Sequence, residues 1–121
     1  IPYVLDLRFL CENVTLTKRR FCKMYTTSIA VQVLPDVTET EKVLAIVDKV
    51  IAYIDSTGYH YVVGPFETTI EGDLEGLMQI AKRCQEMPIE EGAPSTKTYI
   101  KVFHNPTGVL TINEKIDKFQ K

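Results

Sequence analysis

Hydrophobic and polar residues alternate along four short segments of the chain, and apolar residues recur at helical spacing between these segments. The first alternating segment runs from Thr26 to Leu34 and is stopped by Pro35-Asp36. Alternation with a period of two is the pattern of a strand with one buried face. The two faces of this predicted strand are Thr27, Ile29, Val31 and Val33 on one side, and Ser28, Ala30, Gln32 and Leu34 on the other.

The segment after this strand has the pattern of an amphipathic helix over about residues 39–57. Its apolar residues recur every three or four positions, so that they share one side of a helix. They are Val43, Leu44, Val47, Val50, Ile51 and Ile54. Thr38 and Glu41 have the spacing of a capping box, in which each side chain accepts the other residue's backbone N–H. Gly58 supplies the left-handed residue that commonly ends a helix.

A hairpin is predicted at the centre of the chain. The segment from Tyr59 to Val63 is apolar, Gly64-Pro65 is a turn signal, and the segment from Phe66 to Glu71 alternates again. Two carboxylates and a hydroxyl then share one face of the return strand. Its faces are Glu67, Thr69 and Glu71 on one side, and Phe66, Thr68 and Ile70 on the other.

A second helix is predicted from about Leu74, with Asp73 as its N-cap. Its apolar stripe consists of Leu77, Met78, Ala81 and Cys84. Pro88 lacks an N–H, and its ring meets the carbonyl group four residues earlier, so we expect the helix to kink or end there.

The last part of the chain predicts a fourth strand and a short closing helix. The strand runs from Thr96 to His104, and a turn follows at residues 105–108. Thr111 and Glu114 form a second capping-box pattern. The apolar face of the closing helix is Ile112, Ile116 and Phe119.

This order of elements, β-α-β-β-α-β with one further helix, predicts an α+β, ferredoxin-like fold. Right-handed crossovers make an antiparallel sheet with the two long helices on one face. The other face carries Leu34, Tyr99 and Phe103 beside its polar residues, and it is too apolar to stay in water. We therefore expect subunits to pack through their sheet faces, in a homodimer or homotetramer.

Length, charge and cysteine content narrow the class of protein. The chain has 121 residues, enough for one domain, and its formal net charge of −2 argues against a nucleic-acid partner, which needs a basic surface. No apolar run approaches the roughly 18 residues that span a bilayer, so a membrane protein is not expected. Cys11, Cys22 and Cys84 lack CxxC spacing, and we expect free thiols in a reducing cytoplasm.

Three motifs together resemble one known family. GPFETTIEGD at residues 64–73, SIAVQVLP at 28–35 and TINEKIDKF at 111–119 are similar, in order and spacing, to the small prokaryotic thiamine-binding (YkoF-like) proteins. The resemblance covers about residues 25–121. It implies a ferredoxin-like fold, homo-oligomers built through the sheets, and a small-molecule ligand that is thiamine or its hydroxymethylpyrimidine half.

Polar residues on the face of the sheet away from the helices are the candidate ligand-binding residues. They are Ser28, Gln32, Glu67, Thr69 and Glu71. An aminopyrimidine offers an amine donor and a ring nitrogen that gains a proton beside a carboxylate, so a glutamate can form a charge-assisted bond with it. A thiazolium cation would be attracted both by a negatively charged side chain and by the face of an aromatic ring, such as that of Tyr61, Tyr99 or Phe66.

Spacing alone does not decide whether Glu67 or Glu71 meets the pyrimidine, because both project from the same face. The alternative interpretation is that both glutamates are solvated strand residues or form an ion pair with Lys101. His60 and His104 have no Cys, His or carboxylate at ligand spacing on the same element, so we expect surface or hydrogen-bonded histidines and no metal.

No nucleophile elbow, GxGxxG or P-loop occurs in the sequence, so we predict neither catalysis nor a cofactor. Residues 1–23 lie outside the pattern and are predicted to be an upstream extension before a start at Met24, or else a genuine extra strand or arm that packs on an oligomer neighbour. The domain then spans residues 24–121. The predicted function is cytoplasmic binding of thiamine or its pyrimidine moiety in vitamin salvage or transport. A ligand-responsive regulatory or protein-interaction module of the same fold is the alternative, because fold does not determine function.

Overall fold

The structure is a computed structural model that describes residues 25–120. The predictions on residues 1–23, with Cys11 and Cys22, lie outside the described residues. The elements are β1 (Thr27–Pro35), α1 (Thr40–Ser56), β2 (His60–Val63), β3 (Thr68–Gly72), α2 (Leu74–Glu90), β4 (Thr96–His104), α3 (Ile112–Ile116) and a 3₁₀ turn (Asp117–Phe119). Within the described residues, no helix is both long enough and apolar enough to cross a bilayer.

The four strands form one antiparallel sheet in the order β2-β3-β1-β4. This is the split βαβ order, in which the two crossover helices leave β1 between β3 and β4. The α+β, ferredoxin-like prediction is therefore confirmed, and with it the expectation that β1 and β3 are neighbours.

The core lies between the sheet and the two long helices. Residues directly opposite each other in an antiparallel pair point to the same face, and Ile29 lies opposite both Ile70 and Val102. The core cluster combines this face with one side of each helix: Ile29, Val31, Val50, Ile54, Ile70, Leu77, Ile80, Ala81 and Cys84. The predicted inward face of β1 is confirmed. Val102 shares that face but remains 46% exposed, because β4 is an edge strand.

The start of α1 differs from the prediction. The N-cap is Glu39, and no side chain accepts a hydrogen bond from the first turn. The capping box predicted for Thr38 and Glu41 is wrong, because a helix that begins at Thr40 leaves Thr38 one position before the N-cap. Glu41 still lies in the first turn, where its charge favours the positive end of the helix.

Of the two predicted effects of Pro88, an end of the helix is wrong, because α2 continues through Pro88 to Glu90, and a kink stays a prediction. The backbone N–H of Glu91 bonds the carbonyl of Met87, and that of Ala93 bonds the carbonyl of Pro88, each at 3.0 Å. The last turn is therefore closed by later N–H groups although Pro88 supplies none. Pro88 is also among the fully buried side chains, so its ring contributes packing at this point.

The hairpin between β2 and β3 has a longer loop than the alternation predicted. β3 begins at Thr68, and residues 64–67 form the loop, in which the Gly64 N–H bonds the Glu67 carbonyl at 2.9 Å. Phe66 therefore does not share the buried face of Thr68 and Ile70, and it is 79% exposed.

Candidate functional site

The open face is the side of the sheet away from α1 and α2, and strand register orders its residues in rows. The first row is His60, Glu71, Ser28 and Phe103, the second is Val62, Thr69, Ala30 and Lys101, and the third contains Gln32 and Tyr99. Glu67 precedes β3 and reaches this face as well, because its carboxylate bonds Lys101. The structure thus brings all five predicted residues to one face, with Ser28 directly opposite Glu71.

Glu71 is buried in the first row, with 2% of its surface exposed. Its Oε1 lies 2.7 Å from Nδ1 of His60, and its Oε2 accepts the backbone N–H of Ile112 at 2.7 Å. A buried carboxylate is costly unless it is paired and hydrogen-bonded, and both requirements are met here. Within the described residues, both oxygens of Glu71 are therefore engaged by the protein itself.

The segment after β4 brings Ile112 to this position. The N–H of Val109 bonds the carbonyl of Tyr25 at 2.8 Å, which turns the chain back past the start of β1. Thr111 and Glu114 then form the predicted capping box, which is confirmed, and α3 begins beside Glu71. The closing helix consequently lies against the open face, unlike the two long helices.

Glu67 occupies the other end of the open face. Its carboxylate lies 3.1 Å from Nζ of Lys101, and the two side chains are 31% and 75% exposed. The pair crosses over β1 at Ala30, whose small side chain lies opposite Lys101. The alternative interpretation of an ion pair with Lys101 is therefore confirmed for Glu67. An exposed pair of this kind contributes only about 0–1 kcal/mol, so a competing cation can replace Lys101 at little cost.

A cavity of about 110 Å³ opens beside Glu67. Because β3 begins only at Thr68, the end of β1 has no strand partner on that side, and the hairpin loop spans the gap above α1. Most of the lining is apolar, and the two polar side chains of the open face that line it are Gln32 and Glu67. The apolar lining residues include Val31, Val33, Val47, Ile51, Val63 and Phe66.

The five predicted residues thus divide into two groups along the strands. Gln32 and Glu67 line the cavity, with half-buried Thr69 in the neighbouring row. Ser28 and Glu71 lie at the far end, where Ser28 is 7% exposed. Glu67 and Glu71 are four positions apart, which corresponds to about 13 Å of fully extended strand. The two carboxylates also have separate partners in the protein, Lys101 for Glu67 and His60 for Glu71.

The histidines are both hydrogen-bonded, as expected. His60 pairs with Glu71, and Nδ1 of His104 lies 2.8 Å from the hydroxyl of Thr27. Sequence analysis did not identify the pairing of His60 with Glu71. The pairing follows from the hairpin register once the loop is known to contain four residues, because Val63 then lies opposite Thr68 and His60 opposite Glu71. Among residues 25–120, no group of three or more His, Cys, Asp or Glu side chains could hold a metal ion.

A larger depression, of about 350 Å³, lies on the helix side between α1 and the loop after α2. Its lysines already have carboxylate partners, because Lys49 pairs with Glu91 at 2.7 Å and Lys42 with Glu39 at 3.4 Å. The polar residues predicted to bind a ligand are all elsewhere. The candidate site is therefore the end of the sheet where Gln32 and Glu67 of the open face line the cavity above α1.

Comparisons with known proteins agree with the motif resemblance. The sequence model of a family described as thiamine-binding protein matches residues 29–120. The chain is 43% identical to the UPF0045 protein CPE1503 of Clostridium perfringens over 97 aligned residues. The aligned region covers 80% of this chain and 100% of that protein.

Solved structures with the same fold include proteins of related sequence. A DUF77 domain of unknown function from Bacillus cereus superposes with a TM-score of 0.69 at 35% identity, covering 78% of this chain and 89% of that one. A Thermotoga maritima protein, named for a proposed role in thiamine biosynthesis or salvage, has a TM-score of 0.69 at 30% identity, covering 78% and 98%. Sequence, fold and motif order thus agree, and the chain belongs to the thiamine-binding protein family.

Proposed function

We propose that the protein binds thiamine or its hydroxymethylpyrimidine half in the cytoplasm, in vitamin salvage or transport, without chemistry of its own. The observation that carries this proposal is the placement of the Glu67 carboxylate and the Gln32 amide beside an apolar cavity. An aminopyrimidine presents two hydrogen-bonding nitrogens on one edge and an apolar ring face, which matches this combination. Membership of the family supports the choice of thiamine as the ligand class.

The cavity is smaller than the ligand sites of most proteins, which enclose about 300–1,000 Å³. It therefore receives one end of the ligand, which we take to be the pyrimidine. The rest of the ligand lies on the open face near Thr69 and Tyr99, where the aromatic ring of Tyr99 can face a thiazolium cation. Glu67 becomes available when the ligand displaces Lys101, whose Nζ lies 3.1 Å away in a largely exposed pair.

We further propose that a second subunit covers this face, in a homodimer or homotetramer. Large apolar side chains of β1 and β4 are exposed there, with Leu34 at 40%, Tyr99 at 60% and Phe103 at 61%. Packing of two open faces would bury these side chains.

Calorimetry with thiamine and with hydroxymethylpyrimidine tests the binding proposal. Glu67→Gln keeps the shape but removes the charge, so affinity should fall by about 1.5–3 kcal/mol, the range for hydrogen bonds to charged groups. Glu41→Gln, at an exposed position in α1, is the matched control and should bind like wild type. Unchanged affinity of Glu67→Gln would refute recognition by this carboxylate. A wild-type protein that binds neither compound would refute the ligand class.

A further inference from the structure

A buried carboxylate on the open face connects two distant parts of the chain. Glu71 belongs to β3, yet one of its oxygens accepts the backbone N–H of Ile112, which lies 41 residues later. The other oxygen pairs with Nδ1 of His60 at 2.7 Å. Since this carboxylate is 2% exposed, its partners are the groups that offset the cost of its burial.

The helix that begins at Ile112 cannot hold its position by itself. α3 has five residues, far fewer than the roughly 12–15 that an isolated helix needs for stability in water. Contacts that hold its start are the capping box of Thr111 and Glu114, the buried side chain of Ile112, and the bond to Glu71. At its end Ile116 is half-buried, and Phe119 in the following turn is 70% exposed.

The contact of this segment with the open face is at Glu71, in the first row. Ser28 and Glu71 are 7% and 2% exposed, whereas Phe103 in the same row is 61% exposed. In the next row Thr69 is half-buried. The start of α3 therefore lies at the Glu71 end of the face, away from the exposed side chain of Phe103.

We propose that Glu71 is a positioning residue, which fixes α3 as a wall of the ligand-binding face and does not itself contact the ligand. This inference rests on the proposed function. With His60 holding one oxygen and Ile112 the other, α3 limits the ligand to the length of face between the cavity at Glu67 and the row of Thr69. The wall thereby selects compact ligands with one acidic contact over longer ones that would extend across Ser28.

Two variants loosen α3 from opposite sides. Glu71→Gln removes the charge that faces His60 and α3, and Thr111→Ala removes the N-cap of α3 without altering the sheet. Hydrogen exchange followed by mass spectrometry reports on residues 112–119 and, separately, on β1 and α2. We expect exchange in α3 to accelerate at least tenfold in both variants, with β1 and α2 unchanged, and thiamine affinity to fall by a similar factor in both. Glu75→Gln, at an exposed site in α2, is the matched control.

The outcomes separate a positioning role from the other roles that Glu71 could have. Loss of thiamine affinity in Glu71→Gln alone, with α3 exchange unchanged, would make Glu71 a ligand contact and overturn the proposal. An equal rise of exchange over β1, α2 and α3 would make it a stabiliser of the whole domain and overturn it as well. If wild type binds no thiamine, the proposed function fails, while the exchange data still decide whether Glu71 holds α3. If Glu71→Gln does not fold, Thr111→Ala still tests whether α3 acts as a wall, because thiamine affinity unchanged in a variant with faster α3 exchange would overturn the proposal.

Discussion

The hydroxyl of Tyr59 donates a hydrogen bond to Oδ1 of Asp73 at 2.5 Å, while Oδ2 of the same carboxylate accepts the N–H of Gly76 at 2.8 Å. One side chain therefore caps α2 and anchors the residue that precedes β2. The bond to the Asp73 carboxylate, together with burial, raises the pKa of Tyr59 to about 12. Sequence analysis predicted the cap but not the tyrosine.

Stability at alkaline pH should depend on Tyr59. Since the folded-state pKa of about 12 lies above the usual value of 10.0, the folded protein holds this proton more tightly than the unfolded chain does. The stabilisation is complete below pH 10.0 and is lost as pH rises through the folded pKa. Urea unfolding midpoints measured at several pH values across this range should fall less steeply with pH for Tyr59→Phe than for wild type. Parallel slopes would contradict the assignment, because lysine titration is common to both proteins.

Gly76→Ala should destabilise the protein, even though alanine is more favourable than glycine in a helix interior by about 1 kcal/mol. A Cβ at Gly76 would overlap the hydroxyl of Tyr59 and lie 2.7 Å from its Cζ. Overpacking of this kind costs about 1–3 kcal/mol, so the free energy of unfolding should fall. Gln79→Ala, exposed on the same helix, is the control and should change it by no more than about 0.5 kcal/mol. The cost of Gly76→Ala should shrink in a Tyr59→Phe background, and strict additivity would exclude the clash.

Assembly should depend on the exposed aromatic residues of β4. Tyr99→Asp places an unpaired charge where we propose that two open faces pack, so the oligomer should dissociate at micromolar concentration. Met78→Asp, at a position 41% exposed on α2 and on the other side of the sheet, is the control and should leave assembly unchanged. Sedimentation velocity measures both. A wild-type protein that sediments as a monomer would contradict the proposed interface.

Cys84 should behave as a protected thiol. It is fully buried, and burial raises its pKa from the usual 9.0 to about 11, so thiolate forms in the unfolded chain first. Its contribution to stability is complete below pH 9.0 and declines towards pH 11. Native protein should therefore react with a thiol reagent at Cys84 only after urea unfolding, whereas rapid reaction of the folded protein would contradict the burial. The free-thiol prediction is confirmed for Cys84.

The split βαβ order and the composition of the open face could be predicted from local pattern. Alternation in β1 and β3 has a period of two, so each residue's face follows from parity once the strand is recognised. Alternation along the strands was consequently enough to predict one shared face for Ser28, Gln32, Thr69 and Glu71. The caps at Asp73 and Thr111 were also predicted, because a cap is a relation between residues three positions apart, although the same spacing at Thr38 and Glu41 formed no cap.

Relations between distant segments were decided only by the tertiary structure. Glu67 and Glu71 have the same parity and the same chemistry, and sequence could not separate them. The structure leaves Glu67 beside a cavity because β3 starts late, and it buries Glu71 because a segment 41 residues further along packs over it. Pro88 likewise stays inside α2, where its buried ring packs in the core, and the carbonyls of Met87 and Pro88 accept the N–H groups of Glu91 and Ala93. Periodicity determines which way a side chain points, whereas its neighbours depend on where the rest of the chain returns.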